Sequence, residues 1–122
     1  MDAIPVVSED EFARVIAATR PYVVLILKAG ARYETPGRAR SPAIHALIAA
    51  HAMRNSGMQK AGLMPIVCPI ADASGVTGVG VFDLTVEDAT RFMDGDPAVQ
   101  AGVLTYELHT CFSLPIPSPA QP

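Results

Sequence analysis

The run Tyr22 to Lys28 (YVVLILK) constrains the fold more than any other segment. Its alternate positions are apolar on both sides, with Val23, Leu25 and Leu27 in one set and Tyr22, Val24 and Ile26 in the other. A surface strand alternates apolar with polar residues, so a run of this kind reads as a strand whose sheet is covered on both faces. The rest of the chain has to supply that cover.

Further signals place the other elements around this strand. Ser8 and Glu11 form a capping-box pair, and Phe12, Val15, Ile16 and Thr19 recur at helical spacing, which predicts an N-terminal helix closed by Pro21. Residues 29 to 40 (AGARYETPGRAR) are broken by Gly30, Pro36 and Gly37 and read as a loop of about a dozen residues, a length more often functional than not. Ser41 as N-cap and Pro42 at the first helical position open a long helix that Gly62 stops. Met64 to Ala71 is a second strand, and Pro65 and Pro69 mark it as an edge or bulged one. Asp72 to Gly75 supplies a turn into a third strand, Thr77 to Leu84. Thr85 with Asp88 caps a second core helix that ends near Gly95, and Asp96-Pro97 starts a single helical turn that Gly102 ends. Val103 to Thr110 is the last strand, and four prolines from Pro115 onward mark an extended, mobile tail.

After the N-terminal helix the order is β, α, β, β, α, β. This is the pattern of the ferredoxin-like fold, an α+β architecture with a four-stranded antiparallel sheet and both helices on one face. The expected organisation is therefore an N-terminal helical extension over residues 1–21, a ferredoxin-like domain over 22–112 and a Pro-rich tail over 113–122. One sheet face is left bare in this arrangement. Because the first strand is apolar on both sides, that face needs a second copy of the chain, or else the N-terminal helix, to cover it. The sequence thus predicts a homodimer, a higher oligomer being compatible with the same pattern.

Composition narrows the partners. Only 17% of the 122 residues are charged and the formal net charge is −3, without the basic stripe that nucleic acid or an anionic membrane surface requires. The longest strongly apolar run, Tyr22 to Leu27, is far short of the roughly 20 residues of a membrane span. No basic segment leads into an apolar stretch at the N-terminus, which predicts a cytoplasmic location. Cys68 and Cys111 read as reduced, and Cys68 as a small buried thiol.

Chemistry-bearing residues are few. On the long helix Leu47, Ile48, His51, Asn55 and Met58 fall within about 60° of Ile44 at 100° per residue, so an imidazole and an amide lie mid-stripe, with His45 at the margin. Such groups are either hydrogen-bonded within the core or border a pocket. Asp96 is first a helix cap. A carboxylate held that way is also ionised and rigid, which suits the partner of a catalytic imidazole, since it favours the imidazolium and fixes its tautomer. Arg32 and Tyr33, in the first loop, are candidates to bind a carboxylate or phenolic oxygen. No nucleophile elbow, phosphate loop or zinc-binding helix motif occurs.

Three segments together resemble the YCII-related (YciI-like) family over about residues 22 to 112. They are VVLILKAGARYE, the stretch HAMRNSGMQKAGLMPIVCPIAD that begins at His51, and GVTGVGVFDLTVEDATRFMDGDPAVQAGVLTYELH. The most specific element is DGDPAVQAGVLTYELH, which is similar to the family's Asp-Pro-x-x-x-x-Gly segment leading into the last strand. The resemblance implies a ferredoxin-like fold that pairs into a dimeric α+β barrel. It also implies an active pair, a His on the first core helix and the Asp of the Asp-Pro segment, which correspond to His51 and Asp96. Two positions depart from the pattern. Cys68-Pro69 stands where the family tends to have Gly-Pro, which puts the Cys68 side chain beside the cleft, and Thr110-Cys111 replaces a Pro-Trp.

The expected function is therefore proton transfer by a His51/Asp96 pair on a small cyclic or aromatic oxygenated compound, by isomerisation, elimination or lactone chemistry. Arg32, Tyr33, Asn55 and Cys68 would border the substrate. No cofactor is implied, and no metal, because one His and one carboxylate make a poor ligand set. A non-catalytic module that binds a small ligand, or an accessory dimer, fits the same residues.

Overall fold

The computed structural model describes residues 3–37 and 39–118. Its elements are α1 (Glu9–Ala17), β1 (Arg20–Ala29), α2 (Pro42–Lys60), β2 (Ile66–Pro69), β3 (Val76–Phe82), α3 (Val86–Asp94), α4 (Pro97–Gln100) and β4 (Leu104–Ser113). The helix starts lie where the capping residues put them. Ser8, Ser41 and Thr85 each accept a hydrogen bond from the backbone N–H three residues on.

The four strands form one antiparallel sheet in the order β2-β3-β1-β4. The doubly apolar strand β1 is thus interior, and the proline-bearing β2 is an edge, where a missing N–H interrupts no ladder. β1 is longer than expected, because Pro21 does not stop α1 but pairs with Phe112 of β4. The β1–β3 ladder begins only at Val23, so one side of the strand is open where Pro21 sits.

The core lies on one face of the sheet. Val23, Leu25 and Leu27 of β1 and Phe82 of β3 pack there with Ile44 and Met58 of α2, Ala89 and Met93 of α3, and Ala98 of α4. The register places Val24 and Ile26 beside Val81 and Val79 on the other face, where all four are only half-buried. On that face β4 contributes Thr105, Glu107 and His109, an exposed polar row. α1 does not cover it. No residue of α1 is buried, and Phe12 and Ile16 are more than half exposed.

The first part of the C-terminal segment is tied down. β4 runs on to Ser113, and the Ile116 N–H donates to the Tyr22 hydroxyl at 2.9 Å. The expected mobile tail over 113–122 is therefore corrected at its start, and residues 119–122 lie outside the described residues. Cys68 is also corrected. It is exposed, because β2 is an edge strand and its register partner, Val79, belongs to the uncovered face.

Close backbone approach matters most at Gly30, where the loop after β1 crosses the start of β4. A Cβ there would stand 2.5 Å from the Gly102 carbonyl oxygen, and the Gly30 N–H donates to the Val103 carbonyl at 2.9 Å. Backbone atoms cannot swing aside as a side-chain end can. Gly30→Ala should destabilise the fold by about 1–3 kcal/mol, read as a lower denaturant midpoint with an unchanged slope.

Candidate functional site

Helical spacing and one cap bring the chemistry together. The buried positions of α2 are Ile44, His51, Asn55 and Met58, spaced by seven, four and three residues, so the imidazole and the amide share the face that meets the sheet. Asp96 caps α4, which packs against α2. Its Oδ1 accepts from the N–H groups of Ala98 at 2.9 Å and Val99 at 3.3 Å, while its Oδ2 lies 2.6 Å from His51 Nδ1. The two roles read from the sequence therefore coexist in one side chain, one oxygen capping the turn and the other holding the ring. Asp96 is fully buried and His51 is 8% exposed.

The charge state follows from these contacts. Burial pushes the Asp96 carboxyl toward protonation, but the hydrogen bond and charge of His51 and the two amide N–H donors together hold it below the ordinary carboxylate range. Arg54 Nη1 lies 4.0 Å from Oδ2 and places a cation nearby. An ionised Asp96 can only accept, so Nδ1 carries a proton, and in the neutral ring Nε2 then presents its lone pair. Asn55 then has to turn its Nδ2–H toward Nε2, at 3.1 Å. That leaves Asn55 Oδ1 buried and without a partner.

A cavity of about 440 Å³ opens in front of this pair, between α2 and the sheet, within the range of small-molecule sites. Leu25 and Leu27 of β1 and Gly78 and Gly80 of β3 form its floor. Glycine in β3 lets neighbouring side chains lie close over the strand. A Cβ at Gly80 would stand 2.8 Å from Met64 Sδ. Gln59 and Thr77 line the wall, and Tyr33 and Arg40 belong to the lining from the loop before α2.

Of the residues singled out from sequence, His51, Asp96 and Asn55 form one hydrogen-bonded chain, and Tyr33 joins the cavity wall. Arg32 does not reach this cavity. Its Nη1 donates to the Ala101 carbonyl at 2.8 Å, and it borders a separate, shallower hollow with Glu34, Ser41 and Ile44. Cys68 borders the cavity from the edge strand. The residue that sequence reasoning passed over is Arg40, whose guanidinium lies over the Tyr33 ring, 5.5 Å from its centroid. Its one signal was position, since it ends the loop next to the Ser41 cap. Spacing alone does not separate it from the other arginines of that loop. Thr77 and Gln59 were passed over as well.

No protein-family model matches this sequence, and no curated protein matches it.

The Asp96 contacts set a pH dependence. Its folded pKa lies below the unfolded value of 3.8, so its contribution to stability is complete above that value and is lost as the pH falls through the lower, folded one. The stability gap between the native chain and Asp96→Asn should therefore be largest near neutrality and shrink on acidification below about pH 4, measured by urea unfolding at a series of pH values.

Proposed function

We propose that this protein is a cofactor-independent enzyme that moves a proton on a small cyclic or aromatic oxygenated compound, by isomerisation, elimination or lactone chemistry. One observation carries the reading: His51 is held by an ionised, fully buried carboxylate and also lines a cavity of small-molecule size. His51 is the base and then the acid. Its Nε2 takes the substrate proton while Asp96 stabilises the imidazolium that forms and keeps the ring in place. Asn55 takes part in that exchange. At rest the Asn55 N–H occupies the Nε2 lone pair, so it leaves that lone pair before the substrate proton arrives. Rotation of the carboxamide brings Oδ1 to the new N–H and turns Nδ2–H toward the substrate anion.

The reading includes the YCII-related family and the ferredoxin-like fold, supported by the β2-β3-β1-β4 order and the spacing from His51 to the Asp96-Pro97 segment. It also includes a cytoplasmic homodimer paired through the uncovered sheet face, supported by the half-buried Val24, Ile26, Val79 and Val81. No helix among the described residues is long and apolar enough to cross a membrane.

A second reading, a module that binds a small ligand without turning it over, is favoured by one contact. The Asn55 N–H already occupies the Nε2 lone pair. Solvent-deuterium exchange into a panel of lactones and hydroxylated ring acids, followed by NMR, separates the two. The native chain should catalyse exchange, and His51→Gln should abolish it. Asp96→Asn keeps the cap but favours the other imidazole tautomer, so it should slow exchange roughly a thousandfold or more. Exchange that survives His51→Gln, or ligands that bind without any exchange, would refute the enzyme reading.

A further inference from the structure

The cavity wall has a charge pattern that the proton-transfer reading does not use. Among the described residues the lining holds no Asp or Glu, and Arg40 is its one permanently charged side chain. Arg40 is only partly committed. Its Nε and Nη2 donate to the Glu34 carbonyl at 3.0 and 2.8 Å, and Nη2 reaches the Tyr33 hydroxyl at 3.4 Å. These acceptors are neutral, and no ion pair joins Arg40 to a carboxylate among the described residues. The Glu34 carboxylate feels both Arg40 and Arg32, yet its Oε1 is occupied by the Ser41 N–H at 2.7 Å. Asp96 lies behind the imidazole, already bonded to His51, Ala98 and Val99. The cavity wall therefore carries a guanidinium that no carboxylate among the described residues pairs directly.

Deeper in, the polarity is of another kind. Asn55 Oδ1 and Thr77 Oγ1 are buried and lack partners, and Asn55 is only 5% exposed. A buried acceptor left without a donor destabilises the fold, and a donor arriving with a ligand would relieve this. Leu25, Leu27, Ile48, Met64 and Val67 line the apolar part of the same space.

Resting on the reading of this cavity as a small-molecule site, we infer that its ligand is a compact ring carboxylic acid that also bears a hydroxyl or amino group. The carboxylate sits on Arg40, the ring lies over the glycine floor, and the second group donates to Asn55 Oδ1 beside His51 Nε2. A single guanidinium suits a monoanionic carboxylate, and with Nε and Nη2 on the Glu34 carbonyl it is Nη1 that is left to donate to it. Arg40 and Asn55 are then the residues that choose the ligand, and Arg40 takes the part that sequence reasoning gave to Arg32.

The test is a titration of the isotopically labelled full chain with three matched probes, para-hydroxybenzoate, benzoate and para-hydroxybenzamide, followed by amide NMR shifts. Para-hydroxybenzoate should bind tightest and shift the Asn55, Gln59 and Thr77 amides. Loss of its carboxylate, as in the benzamide, or Arg40→Gln should each weaken binding roughly tenfold, with Arg40→Lys intermediate. Benzoate should bind more weakly than para-hydroxybenzoate to the native chain and equally to Asn55→Leu. Thermal unfolding of each variant confirms that it is folded, and Arg40→Gln carries the test alone if Asn55→Leu is not. The inference is overturned if the neutral probe binds as well as the acid, if Arg40→Gln changes nothing, or if para-hydroxybenzoate leaves the cavity amides unmoved. Selective binding without proton exchange would refute the enzyme reading and leave this inference standing. Exchange confined to neutral compounds would do the reverse.

Discussion

A carboxylate with no solvent contact sits where α4 begins, and much of the molecule is arranged to keep it charged. Taking an ion of that size out of water costs several kcal/mol, so Asp96 persists only because both of its oxygens are occupied. Two backbone amides satisfy Oδ1 and the His51 imidazole satisfies Oδ2, with the Arg54 guanidinium close behind. Those partners come from different parts of the chain, so the charge acts as a fastener. It holds α2 against α4, and α4 leads through Gly102, with its positive φ of 77°, directly into β4. The hydrogen-bonded chain that runs from the α4 cap through the imidazole to Asn55 is the same chain that faces the cavity.

That cavity exists at the expense of packing. Most of the helix-facing side of the sheet is filled by Val23, Leu25, Phe82 and their partners. Over β3, where Gly78 and Gly80 have no side chains, Leu27 and Met64 lie close to the strand and the cavity opens beside them. An empty space lined by Leu25, Leu27 and Met64 forgoes dispersion contacts that larger residues would supply. The polar groups around it add to the cost, since Asn55 Oδ1 and Thr77 Oγ1 are buried and have no partner among the described residues. A region that is underpacked and polar at once is poorly designed as a core and well suited to receive a ligand.

The two faces of the sheet carry different obligations. On the helix side, burial is met within the chain. On the other, β1 and β3 present half-buried valine and isoleucine while β4 presents a charged and polar row that includes the Lys28–Glu107 ion pair across to β1. α1 has a well-formed cap and an amphipathic face, but packs on none of this.

Much of this was legible in the residues themselves. Caps such as Ser41-Pro42 and Thr85 and the proline-marked edge strand act over a few neighbouring residues, so the element order could be read directly. Helical periodicity likewise put His51 and Asn55 on one buried face, and the Asp96-Pro97 step announced a cap. What short-range signals do not carry is the outcome of long-range competition. Pro21 entered a strand because Phe112 stood opposite it, and Arg32 was drawn away by the Ala101 carbonyl, leaving Arg40 for the cavity. The 2.6 Å meeting of His51 with Asp96 across 45 residues of chain, the orphaned Asn55 oxygen and the glycine-floored cavity exist only after α2, α4 and β3 have packed, because each depends on partners that share no sequence neighbourhood.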